Sequence, residues 1–159
     1  MNRRMMLKDR VAFVTAAGAG IGRAGALAMA AEGAVVVVSD IDAGRAEAVA
    51  AQISETGGRA WAMGLDVVDD AALNKAIGAV FAREGRLDIL HSHAGIQIPG
   101  TLEQVTVDQM DASWRLNVRA HFRAAQAAMP VMRRQGGGSI IITASNSGGW
   151  VHRDHRCLA

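Results

Sequence analysis

Apolar runs at 11–15, 34–39, 59–65, 87–92 and 139–144 alternate with segments 23–32, 42–55, 69–85 and 106–132, in which apolar residues recur at helical spacing. Short β-branched runs that are apolar on both faces, such as Val11 to Thr15 and Val35 to Val38, predict strands buried between two layers. Gly33, Thr56-Gly57-Gly58 and Gly85 punctuate the helical segments, and Asp42, then Asp69 or Asp70, stand where N-caps belong. Leu73, Ile77, Val80 and Phe81 form one apolar face of the third helix. Thr106 and Gln109 fit a capping box for the longest helix, which is expected to reach about Met132. There the spacing of Val107, Met110, Trp114, Val118, Phe122, Ala125 and Met129 predicts a broad buried face, with Pro130 kinking or ending the helix. Strand and helix alternating through short connections predict an α/β fold: a doubly wound, open parallel sheet in three layers. With no repeat and no linker, 1–149 reads as one domain and 150–159 as an atypical tail.

The first strand runs into Ala16-Ala17-Gly18-Ala19-Gly20-Ile21-Gly22 and then into a helix. A glycine turn between a buried strand and a helix brings backbone close to a ligand and aims free N–H groups at an anion. A phosphate is the natural occupant. Gly20-x-Gly22-x-x-Gly25 matches the dinucleotide fingerprint but starts five residues after Thr15. That offset favours a longer turn on Gly18, Gly20 and Gly22, with Gly25 serving close helix–sheet packing. Asp40 ends the second strand, 20 residues after Gly20, where an acid is expected to bind the adenosine ribose hydroxyls. Its charge disfavours a 2′-phosphate, so NAD is expected over NADP.

With 159 residues, half of them hydrophobic, the chain suits a single core. Lys and Arg outnumber Asp and Glu by 17 to 15, and no basic face carries interleaved aromatics, which argues against a nucleic-acid partner. No run of 18 apolar residues occurs, so no membrane span is expected, and a cytoplasmic location is the default. The lone Cys157 excludes an internal disulfide framework. His152 to Cys157 match no standard zinc spacing, and His91 and His93 make an incomplete ligand set, so no metal site is expected.

In order along the chain, these residues resemble the short-chain dehydrogenase/reductase family from about Leu7 to Gly149. The family's Thr-Gly-x-x-x-Gly-Ile-Gly is similar to Thr15 to Gly22, with Ala16 in place of the first glycine. Its adenine-contacting Asp-Val resembles Asp66-Val67. Its Asn-Asn-Ala-Gly resembles Ser92-His93-Ala94-Gly95, and its helix asparagine and catalytic serine correspond to Asn117 and Ser145. The resemblance implies a Rossmann-like fold with strand order 3-2-1-4-5-6-7 and hydride transfer between NAD and a small-molecule alcohol or carbonyl. It also implies a cofactor site at Gly18, Gly20, Ile21, Gly22, Asp40, Asp66, Val67, His93, Ala94 and Gly95, and a homo-oligomer.

The family's proton-transferring tyrosine, in Tyr-x-x-x-Lys, would fall at or beyond Leu158, and this sequence contains no tyrosine. The chain is therefore expected to be catalytically incomplete, its tail reflecting a frameshift or truncation. Strand five is expected at a sheet edge, with Ile140, Ile141 and Ile142 promoting self-association. The alternatives are a dinucleotide-binding module without turnover, a non-functional fragment and, more distantly, a methyltransferase. Ala16 favours negative φ, so the turn is open to distortion.

Overall fold

The computed structural model describes residues 5–145, and the tail at 150–159 lies outside them. Five strands, β1 (Val11–Val14), β2 (Val35–Asp40), β3 (Arg59–Gly64), β4 (Ile89–Ser92) and β5 (Ser139–Ile142), form one parallel sheet in the order β3-β2-β1-β4-β5. Alternation within β1 and β2 divides the core. Ala12, Val14, Val36 and Val38 pack under α1 (Gly20–Ala31) and α2 (Ala43–Glu55). Val11, Phe13, Val35 and Val37 pack under α3 (Asp70–Glu84) and the helical segment that follows β4. Phe13 is fully buried, as are Val36, Val37 and Val38, which is why these runs carry no polar face. The three-layer, doubly wound architecture is the one the sequence pattern predicts.

The predicted caps form. Asp42 accepts from the Arg45 N–H, and Asp69, rather than Asp70, accepts from Ala71 and Ala72 at the start of α3. Thr106 and Gln109 close a reciprocal capping box at the start of α4 (Val107–Trp114). Beyond α4, however, the long helix departs from expectation. Arg115 to Arg119 form a π-helical turn, in which the Ala120 N–H reaches back five residues to the Arg115 carbonyl, before α5 (Ala120–Arg134) resumes.

Its buried face is also not the expected one. Trp114 is 62% exposed and Phe122 64% exposed, and Val107, Met110, Val118 and Met129 are exposed as well. The buried seam is instead Ala120, Ala124 and Ala128 with His121, Val131 and Met132. Alanines four apart let α5 lie close against the sheet and α3, so the larger side chains are turned outward. Pro130 does not end the helix: it and Gln126 are exposed, leaving the carbonyl that loses its N–H partner open to water.

At the amino ends of the strands, the buried Asp88 carboxylate accepts from the Val11 N–H and from Arg10 and Arg86. At the far side β5 pairs only with β4 among the described residues, and Ile141 and Ile142 are about half exposed.

Candidate dinucleotide site

The carboxyl ends of the parallel strands converge on one side of the sheet, where α1 begins. Ala19 occupies the N-cap position without a side-chain hydrogen bond, and the Arg23 N–H is the first to reach back into the helix, to the Ala19 carbonyl. The Gly20, Ile21 and Gly22 N–H groups therefore have no partner within the helix. All three point, with the positive end of the helix dipole, out of its first turn.

The turn leading there is fixed by contacts that only glycine permits. A Cβ on Gly22 would lie 2.2 Å from the Ala16 carbonyl oxygen. A Cβ on Gly18 would lie 2.8 Å from Asp40 Oδ2, the atom that accepts the Gly18 N–H at 2.9 Å. Ala16 itself adopts φ +49°, so the turn keeps the left-handed conformation even though the family's glycine is replaced. For an L-residue that conformation costs about 1 kcal/mol. Ala16→Gly is accordingly expected to raise stability by about 1 kcal/mol, read as the shift in a urea unfolding midpoint.

Asp40 is held by two N–H donors, Gly18 to Oδ2 and Asp42 to Oδ1 (3.1 Å). Two of a carboxylate's roughly four acceptor positions remain open. Beside it lies a largely apolar cleft of about 500 Å³, bounded by Ala16, Asp40, Asp66, Val67, Ala94 and Gly95, with Leu116 and Arg115 from the π turn at its wall. Asp66 is exposed and fixes its own loop through Val68, while Val67 is buried against the core. Of the residues singled out by sequence, Gly18, Gly20, Ile21 and Gly22 form the adjoining turn, and His93 lies under it.

Thr15 ties this floor together: its hydroxyl accepts from the His93 N–H (2.9 Å) and the Ala94 N–H (3.4 Å). Asn117 sits inside the π turn, and its amide clamps the loop after β4 by accepting from the Ile96 N–H and donating to the Ile96 carbonyl, both at 2.8 Å. π turns recur at functional positions because the extra residue re-aims a side chain. Ser145 stands exposed beyond the carboxyl end of β5. Gly25 serves packing, as expected, since His91 ring atoms lie 3.2 Å from where its Cβ would be.

Three features escaped the sequence reading. The Thr143 hydroxyl sits between His91 Nε2 (3.2 Å) and His93 Nδ1 (2.9 Å), His121 Nδ1 lies 2.6 Å from Ser92 Oγ, and Ile96 is the partner of Asn117. Histidines two apart along an extended run signal a shared face, but the partner just beyond β5 follows only from the β4–β5 register. Burial pushes all three histidines below their ordinary value, with His93 also disfavouring charge on His91 and His121.

A parallel sheet wound in this order, with a glycine turn and an acid at the ends of β1 and β2, defines a Rossmann-like fold. Residues 10–155 match the short chain dehydrogenase family, and the chain belongs to it. It is 40% identical over 148 residues to versicolorin reductase 1 of Aspergillus parasiticus, covering 92% of this chain and 56% of that protein. To the 7alpha-hydroxysteroid dehydrogenase of Escherichia coli K12 it is 36% identical over 141 residues, covering 89% and 55%. A solved structure of 7alpha-hydroxysteroid dehydrogenase complexed with NADH and 7-oxo glycochenodeoxycholic acid superposes with a TM-score of 0.89 at 32% identity, covering 94% of this chain and 58% of that one. The chain thus spans somewhat over half the length of the relatives it matches.

Proposed function

We propose that this chain is the dinucleotide-binding part of a short-chain oxidoreductase and holds NAD in the cleft beside the glycine turn. The observation that carries this reading is the cradle itself: Gly22 and Gly18 leave no room for a side chain, and the open N–H groups of Gly20, Ile21 and Gly22 face out of α1. The pyrophosphate would rest on those N–H groups. Asp40 would accept from the adenosine ribose hydroxyls, Asp66 and Val67 would flank the adenine, His93 would lie beneath the glycine turn, and Ala94 and Gly95 would border the nicotinamide half. When bound, the nicotinamide supplies hydride transfer to or from a small alcohol or carbonyl.

Ser145 would donate a hydrogen bond to the substrate oxygen, and Asn117 would keep the loop at Ile96 in place beside it. No tyrosine occurs in the 159 residues, so they do not supply the family's proton-transferring hydroxyl. Binding without turnover is the expected behaviour of this chain. Fluorescence titration should give saturable NADH binding, with NADPH weaker by about tenfold because the Asp40 carboxylate repels a 2′-phosphate. Asp40→Ser should narrow the difference. Equal affinity for both nucleotides would overturn the Asp40 role, and no binding of either would overturn the reading.

A second copy of the chain is the partner that the outer face of α4 and α5 fits best. Trp114, Val118 and Phe122 are exposed large apolar side chains four residues apart along this segment, and contiguous exposed apolar surface marks an interaction site. Sedimentation should show association that weakens in Trp114→Glu/Phe122→Glu. A monomer with the unsubstituted sequence would contradict it.

A further inference from the structure

His93 occupies a position where the family pattern has asparagine, and it introduces a titratable ring beneath the glycine turn. Its Cδ2 lies 3.0 Å from the point where a Cβ on Gly22 would stand, so the ring touches the first turn of α1. Nδ1 shares the Thr143 hydroxyl with His91 Nε2, while His93 Nε2 makes no hydrogen bond to the described residues. A hydroxyl has one hydrogen, so it can donate to only one of the two rings and must accept from the other. We propose that His93 is a charge-switching contact for the dinucleotide pyrophosphate: a proton from solvent adds to its imidazole as the ligand's phosphates settle over the first turn of α1. This rests on the dinucleotide reading above.

In the imidazolium, Nδ1–H donates to Thr143 Oγ1, the Thr143 hydroxyl hydrogen donates to His91 Nε2, and Nε2–H is left to face the ligand. That arrangement requires His91 to stay neutral, which limits uptake to one proton. Without ligand, burial holds His93 below the ordinary histidine value and so disfavours the charged ring. Two phosphate charges reverse the balance, because a nearby opposite charge favours the protonated form.

The surrounding charged groups do not already supply that partner. On α1, Arg23 is turned to Gln52 of α2 (2.7 Å), and the first turn holds no acid. On β2, Asp40 is engaged by the Gly18 and Asp42 N–H groups. On α5, His121 is bound to Ser92, on β4 His91 lies with its ring centroid 5.5 Å away, and just after β5 only the Thr143 hydroxyl is contributed.

Isothermal titration of the whole chain with ADP-ribose between pH 6 and 8, in two buffers of different ionisation heat, counts the protons taken up. The pyrophosphate of this probe does not itself titrate in that range. Uptake of up to one proton is expected, with Kd tightening by up to about tenfold per unit fall in pH. His93→Asn, which keeps a polar side chain beside Thr143, should show no uptake and a flat Kd whatever its absolute affinity. His91→Asn should retain the uptake. Binding without uptake, or uptake that persists in His93→Asn, overturns the inference while leaving the dinucleotide site standing. Failure of ADP-ribose and NAD to bind at any pH overturns both.

Discussion

Gly22→Ala is expected to abolish dinucleotide binding and to lower stability by about 3 kcal/mol, the upper end of what overpacking costs. The added Cβ would lie 2.2 Å from the Ala16 carbonyl oxygen and 2.9 Å from its carbon. Both are backbone atoms, so relief requires moving the turn rather than rotating a side chain. Any such movement carries Ala16, Gly18 and the first turn of α1 away from the positions that leave room for a phosphate. Gly78→Ala provides the control: nothing lies within 4 Å of that position in the middle of α3. There the substitution should stabilise by about 0.5–1 kcal/mol and leave binding unchanged. A Gly22→Ala protein that melts normally and binds NADH as before would show that the turn is not held by this contact.

Asp88→Ala is expected to lower stability by about 3 kcal/mol, measured by chemical denaturation at pH 7. The carboxylate is 8% exposed and receives the Val11 N–H at 2.9 Å, Arg10 Nη1 at 2.9 Å and two Arg86 nitrogens at 2.6 Å. Its removal leaves the Val11 N–H without an acceptor in the core and frees both guanidinium groups at the amino ends of β1 and β4. Burial pushes the Asp88 carboxyl up, but Arg86, the Val11 N–H and Arg10 outweigh it and hold the group below its ordinary value. The stabilisation is therefore fully present above the unfolded carboxyl value near pH 4 and is lost as pH falls through the folded value. In Asp88→Ala the acid-induced loss of stability should shrink. Because this site lies at the end of the sheet opposite the glycine turn, NADH affinity at 25 °C should change little while the protein remains folded.

Strands and caps were legible in the sequence because both rest on local chemistry. Val35 to Val38 have no polar face to expose, and the side chains of Asp42, Asp69 and Thr106 bond backbone N–H groups two or three residues away. The long helix was misread because hydrophobic spacing weights large side chains. Ala120, Ala124 and Ala128 are the most deeply buried residues of α5 yet carry the weakest apolar signal, whereas Trp114 and Phe122 carry the strongest signal and face outward. The π turn left no mark in the pattern, since one inserted residue is a backbone event. At the candidate site the glycine turn and Asp40 could be found because their spacing follows the chain. The meeting of His91, His93 and Thr143 could not, because it depends on the register between β4 and β5.

The left-handed Ala16 shows what sequence preference does not decide. Alanine disfavours φ +49°, but the Gly22 contact, the Ala17 N–H to the Ser39 carbonyl (2.9 Å) and the Gly18 N–H to Asp40 fix the turn on three sides. Tertiary contacts of that number outweigh a local cost of about 1 kcal/mol.

The most direct test is a crystal structure of the chain grown with saturating NAD. The account predicts the pyrophosphate over the Gly20, Ile21 and Gly22 N–H groups, the adenosine ribose within hydrogen-bond distance of Asp40, and the adenine between Asp66 and Val67. A dinucleotide seated elsewhere, or a cleft without one at a concentration where NAD saturates the protein in solution, would contradict it.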